Sequence, residues 1–130
     1  MHYFQKPYEI KFEHGDYLYA KVRANRVDRE IALAYLTEVA KEAASAGLDR
    51  ILLDRDIPEL MSDADNYLII LDMLEMVGNK RVAIIIRQSG VEDRVAFFEL
   101  VSENRQAPYC IFRDRATAER WLMEGEFSEV

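Results

Sequence analysis

Three features of the sequence predict an α/β fold built on a mixed sheet of about five strands. Two period-two runs stand near the start, two wholly apolar runs stand at 51–53 and 82–86, and helix-like stretches separate every later strand from the next. Strands joined through helices run parallel, whereas strands joined by a tight turn run antiparallel. The expected order is β-β-α-β-α-β-α-β-α, with right-handed helical crossovers.

Tyr8, Ile10 and Phe12 alternate with Glu9, Lys11 and Glu13, which describes a half-buried strand. His14-Gly15-Asp16 supplies turn chemistry. In the second strand Leu18, Ala20, Val22 and Ala24 face inward, and Tyr17, Tyr19, Lys21 and Arg23 face outward. The outward tyrosines leave two readings open, a second contact face or a seat for a helix.

Asp28 is an N-cap for a helix that runs to Ala46 and stops at Gly47, with Ile31, Tyr35, Leu36, Val39, Ala40 and Ala43 as its apolar face. Arg50-Ile51-Leu52-Leu53-Asp54 then reads as an interior strand, covered on both faces and ending in an acid. In Ser62-Asp63-Ala64-Asp65 the serine is a helix cap, and Asp63 and Asp65 favour the positive end of the helix dipole. That second helix runs to Val77, with Gly78-Asn79 as its stop.

The apolar run after Arg81, to Ile86, is expected to be the central strand. Ser89-Gly90 opens a third helix through about Asn104, burying Val91, Val95, Phe98 and Val101 or their neighbours. Pro108 breaks the chain before a short strand, Tyr109-Cys110-Ile111-Phe112, and Asp114 caps a last helix carrying Ala118, Trp121 and Leu122. Residues 1–125 are expected to form one domain, and 126–130 to fray.

Half of the 130 residues are apolar and 32% are charged, so a core that buries roughly two-thirds of the unfolded surface is within reach without disulfides or metals. Seventeen basic against 24 acidic residues give a net charge of −7, which argues against nucleic acid as a partner. The densest basic set, Lys21, Arg23, Arg26 and Arg29, is interrupted by Asp28 and Glu30. Cys110 stands alone, which excludes an internal disulfide and fits a reducing compartment. With no apolar leader at 1–11 and no run of membrane-spanning length, a cytoplasmic location and no membrane span are expected.

The groups that carry chemistry are sparse. Cys110 falls in an apolar strand and reads as a buried structural thiol, Ser89-Gly90 lacks the nucleophile elbow, and the two histidines are His2 near the start and His14 in a turn. There is no His-x-x-x-His, no cysteine pair, no calcium-loop spacing and no glycine-rich phosphate loop. Asp54, Asp56, Asp63 and Asp65 read as loop and helix-start acids rather than a cation cage. No catalytic residue, metal or cofactor is assigned, and a non-enzymatic protein is expected.

Arg50-Ile51-Leu52-Leu53-Asp54 with its long following helix, Arg81-Val82-Ala83-Ile84-Ile85, and the ending from Ile111-Phe112-Arg113-Asp114 to Trp121-Leu122 together resemble a STAS domain, the fold of bacterial anti-sigma factor antagonists. The resemblance is closest to the stand-alone STAS-like proteins of bacteria. In regulatory members of that family, a serine in an Asp-Ser-Ser-Gly stretch at the start of the second helix is phosphorylated and controls binding to a partner protein. Here that stretch falls at Asp63-Ala64-Asp65-Asn66, so Asp65 holds the switch position and Ser62 stands beside it.

The resemblance therefore implies a regulatory or protein-interaction module without serine-phosphorylation switching, with Ser62, Asp63 and Asp65 as the equivalent of the switch. Some bacterial relatives are grouped with lipid-binding domains by fold, which implies the alternative of a carrier or sensor for a small apolar ligand. Leu52-Leu53-Asp54-Arg55-Asp56 through Leu60 also resembles the phosphoacceptor strand and loop of receiver domains. Those domains need paired acids ending the first strand and a lysine ending a late one, where this chain has Glu13, Ala24 and Arg113. Asp54 is accordingly expected to order the loop by accepting backbone hydrogen bonds.

One feature exceeds what a helix on a sheet requires. At about 100° per residue, Asp65, Asp72, Glu75 and Asn79 fall in one arc of roughly 80°, opposite an expected core of Tyr67, Ile70, Leu71, Leu74 and Val77. Leu68, Ile69, Met73 and Met76 then lie on or beside the polar stripe and need cover. Neighbouring helices, a second copy or another protein, and an apolar ligand each supply it. Asp54, Asp56, Leu68, Ile69, Met73 and Met76 are the expected contact residues for a partner, a homodimer or a ligand.

Overall fold

The computed structural model describes residues 6–124; the expected fraying of 126–130 and the placement of His2 lie outside the described residues. The elements are β1 (Glu9–His14), β2 (Leu18–Arg23), α1 (Arg29–Ala46), β3 (Arg50–Asp56), α2 (Asp63–Val77), β4 (Arg81–Ile85), α3 (Glu92–Asn104), β5 (Tyr109–Phe112) and α4 (Arg115–Glu124). This is the α/β order that the sequence predicts. The five strands lie in sequence order, β1 antiparallel to β2 and the rest parallel. β3 is therefore the central strand, and β4, expected there, is its neighbour.

A sheet whose parallel strands follow one another in order, with crossovers of a single hand, must carry all its crossover helices on one face. Accordingly α1, α2 and α3 pack side by side over the inner face, on Leu18, Ala20, Val22, Ile51, Leu53, Val82 and Ile84. α4 follows the last strand and is free of that constraint. It folds onto the outer face, where Ala118 and Leu122 meet Tyr17, Tyr19, Leu52, Ala83 and Ile85. The outward tyrosines of the second strand are thus a seat for a helix, each with less than a tenth of its surface exposed.

The helix ends follow local chemistry. Asp28 Oδ1 accepts from Ile31 N at 2.8 Å, Ser62 Oγ from Asp65 N at 3.2 Å, and Asp114 Oδ1 from Thr117 N at 2.8 Å. Gly47 closes α1 at φ 68°, a left-handed conformation that glycine adopts without a Cβ penalty. α3 begins at Glu92, later than Ser89-Gly90 suggests, and Val91 at its cap position makes no side-chain hydrogen bond. At the edge of the sheet Glu99 Oε2 accepts from Ile111 N at 3.0 Å, so an α3 side chain occupies a backbone donor of β5 that would otherwise invite another strand.

α2 departs from the expected orientation by about a quarter turn. Its buried residues are Asn66, Ile69, Ile70, Met73 and Val77, centred near Met73 rather than Leu74. The cause is its place as the middle helix of three. The sheet takes one sector, α1 takes the next through Arg29 with Asp72 and Thr37 with Met76, and α3 takes the opposite flank, where Arg105 at its C-terminal cap meets Tyr67. Beyond Asp63 at its start, the fully exposed part of α2 is a narrow arc holding Ala64, Leu68 and Glu75, and Leu68 is 36% exposed.

Candidate functional site

β3 divides its own charged residues between the two faces of the sheet. Alternation sends Ile51, Leu53 and Arg55 inward and Leu52, Asp54 and Asp56 outward. The strand continues through Asp56, so Asp54 is not a loop acid: it is 2% exposed and its partners are side chains, not backbone amides. Tyr19 donates to Asp54 Oδ2 at 2.6 Å, Arg87 Nη2 donates to the same oxygen at 3.2 Å, and Arg87 Nη1 donates to Oδ1. Burial pushes the Asp54 carboxyl up, and the hydrogen bonds from Arg87 and Tyr19 outweigh it and hold the group below the usual carboxylate range. Burial, and then the bond to Asp54, push the Tyr19 hydroxyl up to about 12. The Arg115 guanidinium lies 3.8 Å from the centre of the Tyr19 ring.

Asp54 is therefore consumed within the fold, which corrects its expected role as a contact residue. Asp56 is exposed and pairs with Arg23 at 3.1 Å. Ile69 and Met73 are 2% and 3% exposed, so neither is available to a protein partner, and Met76 is half-buried against Thr37. The cover for the apolar stripe comes from the chain's own helices and sheet. Leu68 alone of the four stays on the surface. The sheet also stands between Asp54 and Asp56 on its outer face and α2 on its inner face, so the expected contact residues do not form one surface.

Ser62, Asp63 and Asp65 lie together at the start of α2, Ser62 as the cap and the two acids in the first turn. Asp54, Asp56, Asp63 and Asp65 do not converge, and among the described residues no cluster of His, Cys, Asp or Glu is arranged to hold a metal ion. Cys110 is half-buried on the edge strand rather than fully buried. Burial and the neighbouring Glu99 carboxylate push its thiol up to about 11, which leaves it a poor nucleophile at neutral pH.

The inner face holds a different feature. A cavity of about 40 Å³ lies between the sheet and the helices, walled chiefly by Leu36, Leu53, Ile69, Met73, Ile84 and Phe98. Leu60 and Met61 from the β3–α2 connection, with Arg94 and Val95 from α3, line the same space at the carboxyl ends of the parallel strands. Arg94 Nη1 reaches Leu60 O at 3.5 Å across this end. A second void of about 10 Å³ shares Leu36, Leu53 and Met73 with the first and extends toward Val39, Val77 and Val82. Met73 stands beside both, and an unbranched thioether side chain repacks at little cost.

Arg55 also lines the larger cavity. It is 6% exposed, its Nη2 donates to Glu59 O at 3.1 Å, and its Nη1 is buried without a hydrogen-bond partner. Arg55, Arg87 and Arg94 are not among the residues that the sequence singles out. The signal for Arg55 was present: it continues the inward phase of Ile51 and Leu53, where an unpaired charge is costly. Comparison of the chain with protein-family models, with curated proteins and with solved structures finds no match.

Proposed function

We propose that this chain is a non-enzymatic, STAS-like cytoplasmic module that carries or senses a small apolar ligand, held between the inner face of the sheet and α2 and α3. The observation that supports this reading is the pair of neighbouring apolar voids that share Met73, one of them lined by loop and helix residues at the carboxyl ends of β3 and β4. Connections at that end of a parallel sheet are where α/β proteins commonly seat ligands. Natural cores hold few voids larger than a water molecule. The protein-interaction reading draws on the family resemblance and on an uncovered stripe along α2; of that stripe, Ile69, Met73 and Met76 have their cover from within.

Binding of 1-hexanol, followed through amide and methyl NMR shifts, tests the reading. Saturable shifts centred on Ile69, Met73 and Phe98 are expected, weakened in Met73→Phe, which adds bulk beside both voids. A protein that shows no saturable shifts with 1-hexanol, and carries no added mass in a native spectrum after gentle purification, would overturn it.

A further inference from the structure

A guanidinium inside an apolar core normally has a carboxylate beside it, because burying an unpaired charge is costly. Among the described residues Arg55 has none. The neighbouring acid in sequence, Asp54, points to the opposite face of the sheet and is bound by Arg87 and Tyr19. Glu59, the nearest acid along the following connection, spends Oε1 on Val27 N at 2.8 Å and offers Arg55 only its backbone oxygen. The one acid among the four aspartates of the strand and helix start that remains exposed on β3, Asp56, is paired with Arg23 on the outer side. Arg55 therefore keeps a buried, unused donor at the wall of the cavity.

The surroundings restrict what can complete this arrangement. The guanidinium lies beneath the β3–α2 connection, where Glu59 O holds it, and Arg94 stands at the same end of the cavity, tied to Leu60 O. The remaining walls are mostly apolar: besides the two arginines only Asn66 and Tyr35 carry polar side-chain atoms there, and Asn66 donates its amide to Met61 O at 3.3 Å. A dianion would face one buried cation and an apolar lining, and would be undercompensated. A single negative charge with two oxygens in a plane matches the fork of an arginine. The void is small, and the second void on the other side of Met73 is lined by aliphatic side chains and methionines.

From these observations we infer that the ligand is a short-chain monocarboxylate, its carboxylate held by Arg55 beneath the β3–α2 connection and its alkyl tail lying among Leu36, Leu53, Ile69, Met73 and Phe98. The inference rests on the ligand-binding reading given above and adds the head group. It makes Arg55 the residue that selects for charge, with Arg94 at the mouth.

Sodium hexanoate and 1-hexanol share a chain length and differ in the head group, so comparing them separates the two readings. At pH 7 hexanoate is expected to bind at least tenfold more tightly than hexanol. Arg55→Met keeps the apolar volume and is expected to bind the two alike, whereas Arg94→Gln is expected to retain the preference for the acid. Equal affinity of the unmodified protein for both compounds overturns the carboxylate site and leaves the apolar pocket standing. A preference that survives Arg55→Met, or that disappears only in Arg94→Gln, overturns Arg55 as its seat. Binding of neither compound overturns the pocket and the head group together.

Discussion

The Tyr19 hydroxyl donates to Asp54 Oδ2 across 2.6 Å, tying the second strand to the third on the face that α4 covers. Arg87, just beyond β4, closes on the same carboxylate from the other side. Three consecutive strands of the sheet are thereby joined by one buried acid.

Asp54→Asn is expected to lower stability at pH 7 by about 2 kcal/mol, the cost of weakening a buried, charge-assisted hydrogen-bonding centre whose arginine partner can rehydrate. The folded-state pKa of Asp54 is depressed, so its contribution is fully present above the unfolded value of about 3.9 and is lost as pH falls through the folded value. Urea denaturation should show the gap between the unmodified protein and the variant at pH 7 and a narrower gap at pH 3. An equal gap at both would mean that the ionised carboxylate is not what stabilises.

Ser62→Ala is expected to cost about 1 kcal/mol, because Asp65 N loses its acceptor, while Ser62→Asp stays within about 0.5 kcal/mol of the unmodified protein by capping in the same way. Thermal melts of the two variants distinguish a cap from an idle side chain. If Ser62 serves only the helix, an intact-mass measurement on protein from its native cell should find no phosphate there. Stoichiometric phosphoserine would show that Ser62 has a role beyond the cap.

Leu122→Ala is expected to destabilise by about 3 kcal/mol, since Leu122 is fully buried between α4 and the outer face. The measurement is denaturant unfolding followed through Trp121, the single tryptophan, whose ring lies 3.6 Å from the Arg81 guanidinium. A cost below about 1 kcal/mol would show that α4 is a loosely held appendage and that Tyr17 and Tyr19 are covered only in part.

Much of the fold was legible because its signals are local. Asp28, Ser62 and Asp114 are legible as caps from the side chain and the next three residues alone, and each makes that bond. The face of α2 was misjudged for a reason that periodicity cannot supply. Helical period locates an apolar sector, but a middle helix has three buried sectors, and Asp72 lies in one of them because Arg29, 43 positions earlier, reaches it.

The site divides along the same line. Asp54 stands out in the sequence as an acid at the end of an apolar strand, but its chemical setting is not legible there because Tyr19 is 35 positions away and Arg87 33. Arg55, a charge that follows an acid-ended apolar run, reads as a loop residue until the strand is seen to continue through Asp56.

By itself the sequence determined the element order, the antiparallel hairpin followed by parallel strands, the helix stops and the absence of a recognisable catalytic motif. These depend on period, caps and turns, which act over a few residues. Only the tertiary structure decided which face α4 covers, which sector of α2 is buried, and that adjacent residues Asp54 and Arg55 meet opposite fates. Asp54 acquires two partners on the outer face while Arg55 is left with a buried donor inside, because pairing in a sheet is set by strands far apart in the chain and alternation turns neighbouring side chains to opposite sides.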